Sequence, residues 1–162
     1  MPVKTMEDLF VDTLKDIYYA EKHILKALPR MVKKAGNKTL KDALETHRKE
    51  TEGQVERLEQ VFKLMDVPAR GKKCDAIEGI LTEAKDHMDE IEDPQVLEAG
   101  MIGSAQAVEH YEITRYGTLI TWAKQLGHDD AVKLLESNLK EEKHADQLLS
   151  EIAESTVNKK AA

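Results

Sequence analysis

Apolar residues recur at every third or fourth position along most of this chain, which is the spacing of one face of an α-helix. The first such stretch begins at Thr5, which can cap a helix together with Asp8, and it stops near Gly36. Asp93 and Pro94 give a further start signal. The pattern predicts five helices, over approximately residues 5–35, 39–65, 74–91, 94–126 and 129–157.

The connections between these helices indicate how they pack. The turns at 36–38 and 127–128 are short, so the two long helices beside each turn must lie antiparallel. Residues 66–93 form a longer crossover that carries the short helix. We therefore expect an all-α four-helix bundle built from two antiparallel helical hairpins. Residues 1–162 are expected to form one domain, with a frayed tail at 158–162.

Acidic residues interrupt the apolar face near the middle of each long helix. At about 100° per residue, Glu21 lies at the centre of the first apolar stripe. Further polar residues lie in the other stripes: His47, Glu50, Gln54, Glu109, Glu112, Glu142 and Asp146. An isolated buried carboxylate costs on the order of several kcal/mol, and neighbouring buried acids also repel one another. Because bound cations remove both costs, the pattern predicts a dinuclear metal site.

The distances of the acids from the turns support a shared site. Glu21 and Glu50 lie 15 and 14 residues from the turn glycine of their hairpin, and Glu112 and Glu142 each lie 15 residues from theirs. At a rise of about 1.5 Å per residue, the acids of each antiparallel pair face each other at one height. Amphipathic patterning alone does not require this match, whereas a metal site does.

The predicted donors are rich in carboxylate oxygen and poor in nitrogen, which suits iron or manganese better than zinc or copper. Glu50 and Glu142 are the candidate bridging ligands, and Glu21 and Glu109 are the candidate terminal ligands of two ions. Three further residues on the same faces complete the candidate set: Gln54, Glu112 and Asp146. For Glu112 or Asp146 taken alone, a polar partner or a solvated helix edge is an equally good explanation.

The histidines and tyrosines near this height leave alternatives open. His47 faces inward and could bind a metal, donate a hydrogen bond to a ligand, or be an ordinary core histidine. Glu141-x-x-His144 matches the pattern of di-iron helical bundles, but His144 points about 200° away from the inward acid and is expected to face solvent. Tyr18 and Tyr116 could donate hydrogen bonds to ligands. No role follows for His110.

Composition restricts the partners and the compartment. The chain has 162 residues and a net charge of -7, which argues against a nucleic-acid partner. Its one cysteine, Cys74, can form no disulfide within the chain, which suits a reducing cytoplasm. The N-terminus lacks the pattern of a signal peptide, and no apolar run approaches the roughly 20 residues that cross a bilayer. We expect a soluble, cytoplasmic protein.

Several segments around the acids form multi-residue motifs. They are Tyr19-Ala20-Glu21-Lys22, Glu50-Thr51 with Gly53-Gln54-Val55-Glu56-Arg57, Cys74-Asp75-Ala76-Ile77-Glu78-Gly79, Val108-Glu109-His110-Tyr111-Glu112-Ile113 with Tyr116-Gly117-Thr118-Leu119, and Glu141-Glu142-Lys143 with Asp146. With these motifs the chain closely resembles, nearly end to end, the YciE/YciF-type bacterial stress proteins of the ferritin-like superfamily. It departs from the usual ferritin-like pattern at Gly53 and Ala145, where Glu-x-x-His would place histidine ligands.

The resemblance implies a ferritin-like four-helix bundle with two metal ions, for which iron is the first candidate and manganese the second. It also implies a homodimer linked to the stress response. The Glu109/Glu112 pair also resembles rubrerythrins, in which an additional glutamate on the third helix accompanies peroxide chemistry. The leading hypothesis is therefore a di-iron carboxylate protein that oxidises iron(II) with oxygen or peroxide. The alternative is a non-catalytic stress or interaction protein whose metal is structural or absent. A DNA-coating mini-ferritin fits the acidic charge poorly.

Overall fold

The computed structural model describes residues 3–162, most of which are helical. Over this range the α-helices are α1 (Met6–Lys34), α2 (Lys38–Leu64), α3 (Asp75–Glu90), α4 (Pro94–Leu126), α5 (Asp129–Ile152) and α6 (Asn158–Ala161). A π-helical turn, Ala153–Val157, joins α5 to α6. Each of the five predicted helices is present, and its ends lie within a few residues of the predicted ones.

The four long helices form a bundle of two antiparallel hairpins. Helix α1 packs on α2, α4 packs on α5, and the hairpins meet where α1 contacts α4 and where α2 contacts α5. The short helix α3 lies in the crossover and packs on α4 and α1. The predicted all-α bundle with an extra helix in its long crossover is confirmed.

Two helix starts have the geometry that their sequences indicate. At α1, the Thr5 hydroxyl accepts a hydrogen bond from the backbone N–H of Asp8 at 3.0 Å, and the Asp8 carboxylate accepts from the N–H of Thr5, which completes a capping box. At α4, the Asp93 carboxylate accepts hydrogen bonds from two backbone N–H groups, and Pro94 is the first helical residue.

The two hairpin turns end their helices differently, although both contain a glycine. Gly127 has a φ of 77°, the left-handed conformation that favours glycine after a helix. Helix α1 instead ends with an extended Ala35, and the following Gly36 has no positive φ. Asn37 caps α2 through its side chain, so this helix begins one residue before the predicted start at 39.

The expected frayed tail at residues 158–162 is wrong, because the chain stays helical through Ala161. The π-helical turn changes the helical register, and Ala153 and Val157 are 7% and 1% exposed in the core. Both the turn and α6 pack on α4. Burial against a distant helix therefore orders a segment whose own sequence is mostly polar.

The bundle interior is apolar except for a layer of polar residues across its middle. In the described part of the chain the buried polar side chains are Glu21, His47, Thr51, Gln54, Glu109, Glu112, Asn138 and Glu142. Within residues 3–162, no helix combines the length and apolar character needed to span a membrane. The polar layer is therefore the feature of the core that needs a chemical explanation.

Candidate metal centre

Four buried side chains from three helices converge in this polar layer. His47 comes from α2, Glu109 and Glu112 from α4, and Glu142 from α5, and one ligand atom of each lies within 4.8 Å of those of the other three. The closest resolved contact with the imidazole joins His47 Nε2 to a carboxylate oxygen of Glu109 at 3.1 Å. We call these four residues the central group. One imidazole and three carboxylates at this spacing can hold a metal ion.

Helix periodicity explains why the acids of α4 point to one place. Glu109 and Glu112 are three residues apart and share one face of the helix, which Tyr116 continues one turn later. On the opposite side, His47 and Glu142 lie on α2 and α5, which pack against each other. The structure thus brings together side chains that the sequence places on separate apolar stripes.

Glu21 adds a fourth buried carboxylate, from α1. Its side chain is fully buried, and one of its oxygens accepts a hydrogen bond from the Tyr116 hydroxyl. The carboxyl group also lies beside Glu112 and close to Glu142, and its second oxygen has no partner among the described residues. All four long helices therefore supply a polar side chain to one layer.

Most polar atoms of this layer lack a hydrogen-bond partner. Within residues 3–162, both carboxylate oxygens of Glu112 and Glu142, both amide atoms of Gln54, and one oxygen each of Glu21 and Glu109 are buried without one. No described lysine or arginine pairs with these acids, as the ion pairs of the arginines and lysines lie elsewhere. An unmet buried polar group costs about 1–3 kcal/mol. Bound cations would give the unpartnered oxygens a coordination partner.

Burial favours the protonated form of the four acids. Desolvation, together with repulsion from Glu142, raises the pKa of Glu21 to about 8. Desolvation also raises the pKa of Glu109 to about 7, and it raises the pKa of Glu112 and Glu142 well above the ordinary value. Without a counter-ion, these carboxyl groups would carry little of their charge near neutral pH. A bound cation would restore the charged form.

His47 is not an ordinary core histidine with satisfied nitrogens. Its Nδ1 lies 3.9 Å from Glu50, and its Nε2 contact with Glu109 is close but lacks hydrogen-bond geometry. Burial lowers the pKa of the imidazole, but Glu50 and the charges of Glu142 and Glu21 outweigh this effect, so the net pKa shift is upward. The ring can therefore bind a metal or donate a hydrogen bond to an acid.

A network that the sequence pattern did not reveal holds Tyr116 and Glu21 in place. Asn138 on α5 donates hydrogen bonds to the Tyr116 hydroxyl at 3.0 Å and to a backbone carbonyl of α2 at 3.3 Å, and its own carbonyl accepts from Arg57. Because Asn138 donates to the phenol oxygen, the Tyr116 proton is directed at Glu21. Asn138 lies four residues before Glu142, on the same apolar stripe. A polar amide at that position was the sequence feature that could have predicted these hydrogen bonds.

Two candidate ligands on α2 lie at the edge of the central group. The Glu50 side chain is 27% exposed and contacts only the Nδ1 side of His47, so it is not one of the four convergent residues. Gln54 is fully buried, and its amide has no partner in the described chain. Glu50 would have to turn inward to bridge two ions, and that role stays a prediction.

Asp146 and Tyr18 lie away from the central group. The Asp146 carboxylate pairs with His110 at 3.0 Å and accepts a hydrogen bond from Gln106 at 3.2 Å, so it faces α4 near the surface. The Tyr18 hydroxyl donates a hydrogen bond to the Glu59 carboxylate at 2.8 Å. Both residues therefore have ordinary polar partners, and the alternative explanation considered for Asp146 fits its position.

Two further sequence features also lie outside the site. Glu141 pairs with Arg57 and His144 is exposed, so the Glu141-x-x-His144 motif forms no ligand set. Cys74 is buried at the start of α3, where its sulfur accepts a backbone hydrogen bond and contacts the Tyr111 hydroxyl at 2.9 Å. Both have structural explanations.

The sequence matches a protein family and a bacterial relative. A family model described as a domain of unknown function, DUF892, matches residues 5–162. The chain is 43% identical over 162 residues to the protein YciF of Escherichia coli strain K12, and the alignment covers 99% of this chain and 98% of YciF.

Solved structures share its fold. The crystal structure of the E. coli stress protein YciF matches with a TM-score of 0.92 and 42% identity over 97% of this chain and 99% of that chain. YcfI from Rhodopseudomonas palustris, described as a candidate structural protein, matches with a TM-score of 0.90 and 52% identity over 91% and 94%. A Xanthomonas campestris pv. campestris protein at 22% identity and a TM-score of 0.75, over 95% and 94%, shares the fold alone. The chain therefore belongs to the DUF892 family and is a relative of the E. coli stress protein YciF.

Proposed function

We propose that this protein holds two metal ions, iron with manganese as the alternative, and oxidises iron(II) with oxygen or peroxide in a bacterial stress response. One observation carries the proposal. Four carboxylates converge in the core without a lysine or arginine beside them in the described chain: Glu21, Glu109, Glu112 and Glu142. Two divalent cations carry the charge that balances four carboxylates, and oxygen-rich donors with an imidazole suit iron and manganese.

The unpartnered atoms indicate how the acids would share the ions. Glu112 and Glu142 would hold the ions through carboxylate oxygens that have no hydrogen-bond partner within residues 3–162. Glu21 and Glu109 would each offer one further oxygen of this kind. His47 and, after turning inward, Glu50 would complete the set. Gln54, whose buried amide has no partner in the described chain, is a further candidate donor on the same helix.

Bound iron would supply the redox chemistry. The two electrons from two iron(II) ions would reduce dioxygen with two protons to hydrogen peroxide, or hydrogen peroxide with two protons to two waters. The chain would supply the buried ligands that hold the ions. Burial raises the pKa of Tyr116 well above its ordinary value, so its hydroxyl stays protonated and donates to Glu21.

A structural role without redox chemistry is the second candidate. YcfI, which is 52% identical to this chain, is described as a candidate structural protein. In that case the ions would only hold the four long helices together. The link to stress is taken from YciF, which is named a stress protein, and a homodimer and a cytoplasmic location are taken from the sequence and the family resemblance.

Metal analysis followed by oxidation tests the proposal. The purified chain would be loaded anaerobically with iron(II), analysed for bound metal, and then exposed to dioxygen or to hydrogen peroxide. We expect two ions per chain and oxidation of the added iron(II) faster than in buffer alone. Two ions without faster oxidation would favour the structural role. Protein that neither binds metal nor oxidises iron(II) would contradict the proposal and leave the non-catalytic bundle whose metal is absent.

A further inference from the structure

A cavity extends from the central group towards the end of the bundle where α1 turns into α2. Its volume is about 50 Å³. Its walls are mostly apolar and include Leu28, Leu44, Ala105, Val108 and Leu149. His47, Glu50 and Glu109 form its polar end. The cavity therefore adjoins the candidate metal centre on one side.

The same cavity reaches the protein surface. Its wall includes two exposed residues, Thr46 on α2 and His144 on α5, so its mouth lies between these two helices. Glu112 and Glu142 do not line it. A small molecule that enters between α2 and α5 would first meet the metal centre at His47 and Glu109.

We propose that this cavity binds dioxygen and delivers it to the metal centre, so that dioxygen rather than peroxide is the oxidant. The inference rests on the proposed function, whose electron and proton balance it shares. Apolar cavities stay dry and take up apolar solutes. Dioxygen has no hydrogen bonds with water to give up, whereas hydrogen peroxide would lose hydrogen bonds on its way along these walls.

The size of the cavity supports a diatomic occupant. An apolar cavity of about 150 Å³ in another protein accommodates benzene or xenon. The cavity next to Glu109 has about a third of that volume, which leaves room for a diatomic molecule and too little for an aromatic ring or a long alkyl chain. Small side chains at Ala43, Ala105 and Ala145 leave this space open.

Xenon binding tests the cavity independently of any metal. Methyl NMR spectra of the full-length, metal-free protein would be recorded under increasing xenon pressure. We expect the methyl resonances of Ala105 and Ala145, which line the cavity, to shift more than that of Ala99, which does not line it. Equal shifts at all three methyl groups, or no shifts, would overturn the proposal.

A cavity-filling variant tests the delivery of dioxygen. Ala105→Leu places a larger side chain in the cavity, and Ala99→Leu makes the same change at a half-buried position of α4 outside it. We expect Ala105→Leu to slow iron(II) oxidation by dioxygen about tenfold while peroxide oxidation and metal content stay unchanged. Ala99→Leu should change neither rate. Ala43→Leu fills the same cavity from α2 and serves if Ala105→Leu does not fold.

Two outcomes of the kinetic experiment overturn the inference in distinguishable ways. Equal slowing with both oxidants would show that the cavity does not favour dioxygen over peroxide, and no slowing with dioxygen would show that it is not the dioxygen route. Either result overturns the inference although the protein oxidises iron. Failure of the unmodified protein to oxidise iron(II) with either oxidant would overturn the proposed function itself, and the cavity's role in it, whatever xenon shows.

Discussion

Glu142 is as buried as the leucines around it, yet both oxygens of its carboxylate lack a partner within residues 3–162. Gln has nearly the same shape but no charge, so Glu142→Gln keeps the packing and removes an anionic ligand. We predict that this variant loses bound metal while its helical content stays unchanged, as measured by elemental analysis and circular dichroism. The raised pKa of Glu142 also means that the substitution relieves an unfavourable buried acid in the metal-free protein.

The neighbouring residue provides the control. Glu141 pairs with Arg57 at the edge of the bundle and is not one of the four residues of the central group. Glu141→Gln should therefore keep its metal. Equal metal content in the Glu142→Gln and Glu141→Gln proteins would remove Glu142 from the ligand set.

Asn138 is a second residue whose role is testable by substitution. Leu has the same branched arrangement of four side-chain heavy atoms, but Asn138→Leu would leave the Tyr116 hydroxyl and a backbone carbonyl of α2 without their donor. We predict a loss of unfolding free energy of about 1–3 kcal/mol or more, because each unmet buried group has a cost of this size. Urea denaturation would measure it.

The adjacent Ser137 is exposed and gives a matched comparison on the same helix. Ser137→Ala should change the unfolding free energy by less than about 0.5 kcal/mol, as surface substitutions usually do. If Asn138→Leu costs no more than Ser137→Ala, the hydrogen bonds of Asn138 do not stabilise the bundle.

Single residues also show how far the site could be predicted from the sequence. The helical period placed Glu21, Glu109, Glu112 and Glu142 inward, because burial on an amphipathic helix follows from spacing alone. It could not separate Asp146 from these acids, since the deciding contacts with His110 and Gln106 come from another helix. The Asn138 network was missed for the same reason.

At the scale of helices, Gly127 after α4 adopts a left-handed conformation, whereas Gly79 lies within helix α3. Gly127 has a φ of 77°, and a Cβ there would meet no atom within 4 Å, so a substitution is opposed by backbone strain alone. We predict that Gly127→Ala lowers the unfolding free energy by about 1–2 kcal/mol. Urea denaturation at an unchanged slope would measure the loss.

Gly79→Ala should raise the unfolding free energy, in contrast to Gly127→Ala. Gly79 is exposed within α3, its added Cβ would also meet no atom within 4 Å, and alanine is favoured over glycine in a helix by about 0.5–1 kcal/mol. Stabilisation by both substitutions would contradict the left-handed conformation assigned to Gly127.

Helix ends illustrate what local sequence can and cannot predict. The caps of α1 and α4 were predicted because Thr5, Asp8 and Asp93 bond to backbone groups within the same few residues. The helical tail was not predicted, because Ala153 and Val157 are buried by packing on α4, a contact between distant parts of the chain. Local signals define helix starts, and tertiary contacts decide where this last helix ends.

For the whole molecule, metal binding would be coupled to folding, because the polar layer takes side chains from all four long helices. In the unfolded chain these residues are far apart and form no site, so an ion that binds the folded state stabilises it by mass action. The acids also make the stability of the metal-free protein depend on pH. The direction of that dependence follows from their pKa values in the two states.

We predict that the metal-free protein becomes less stable as pH rises from about 4.5 to about 8. The unfolded carboxyls titrate near 4.5, whereas the folded-state pKa is about 8 for Glu21, about 7 for Glu109, and well above 4.5 for Glu112 and Glu142. Across this window the folded state holds more protons, so each extra proton lowers the unfolding free energy by about 1.4 kcal/mol per pH unit. The raised pKa of His47 acts in the same direction.

Manganese(II) should remove this loss of stability, since the ion replaces the protons that the folded acids otherwise keep. Urea denaturation across the same pH range, with a chelator in one series and manganese(II) in the other, measures both curves. Metal affinity rises with pH as the ligands lose their protons, so the two curves should diverge towards pH 8. Parallel curves would mean that the ion binds outside the polar layer, because only an ion held by these buried acids offsets the cost of ionising them.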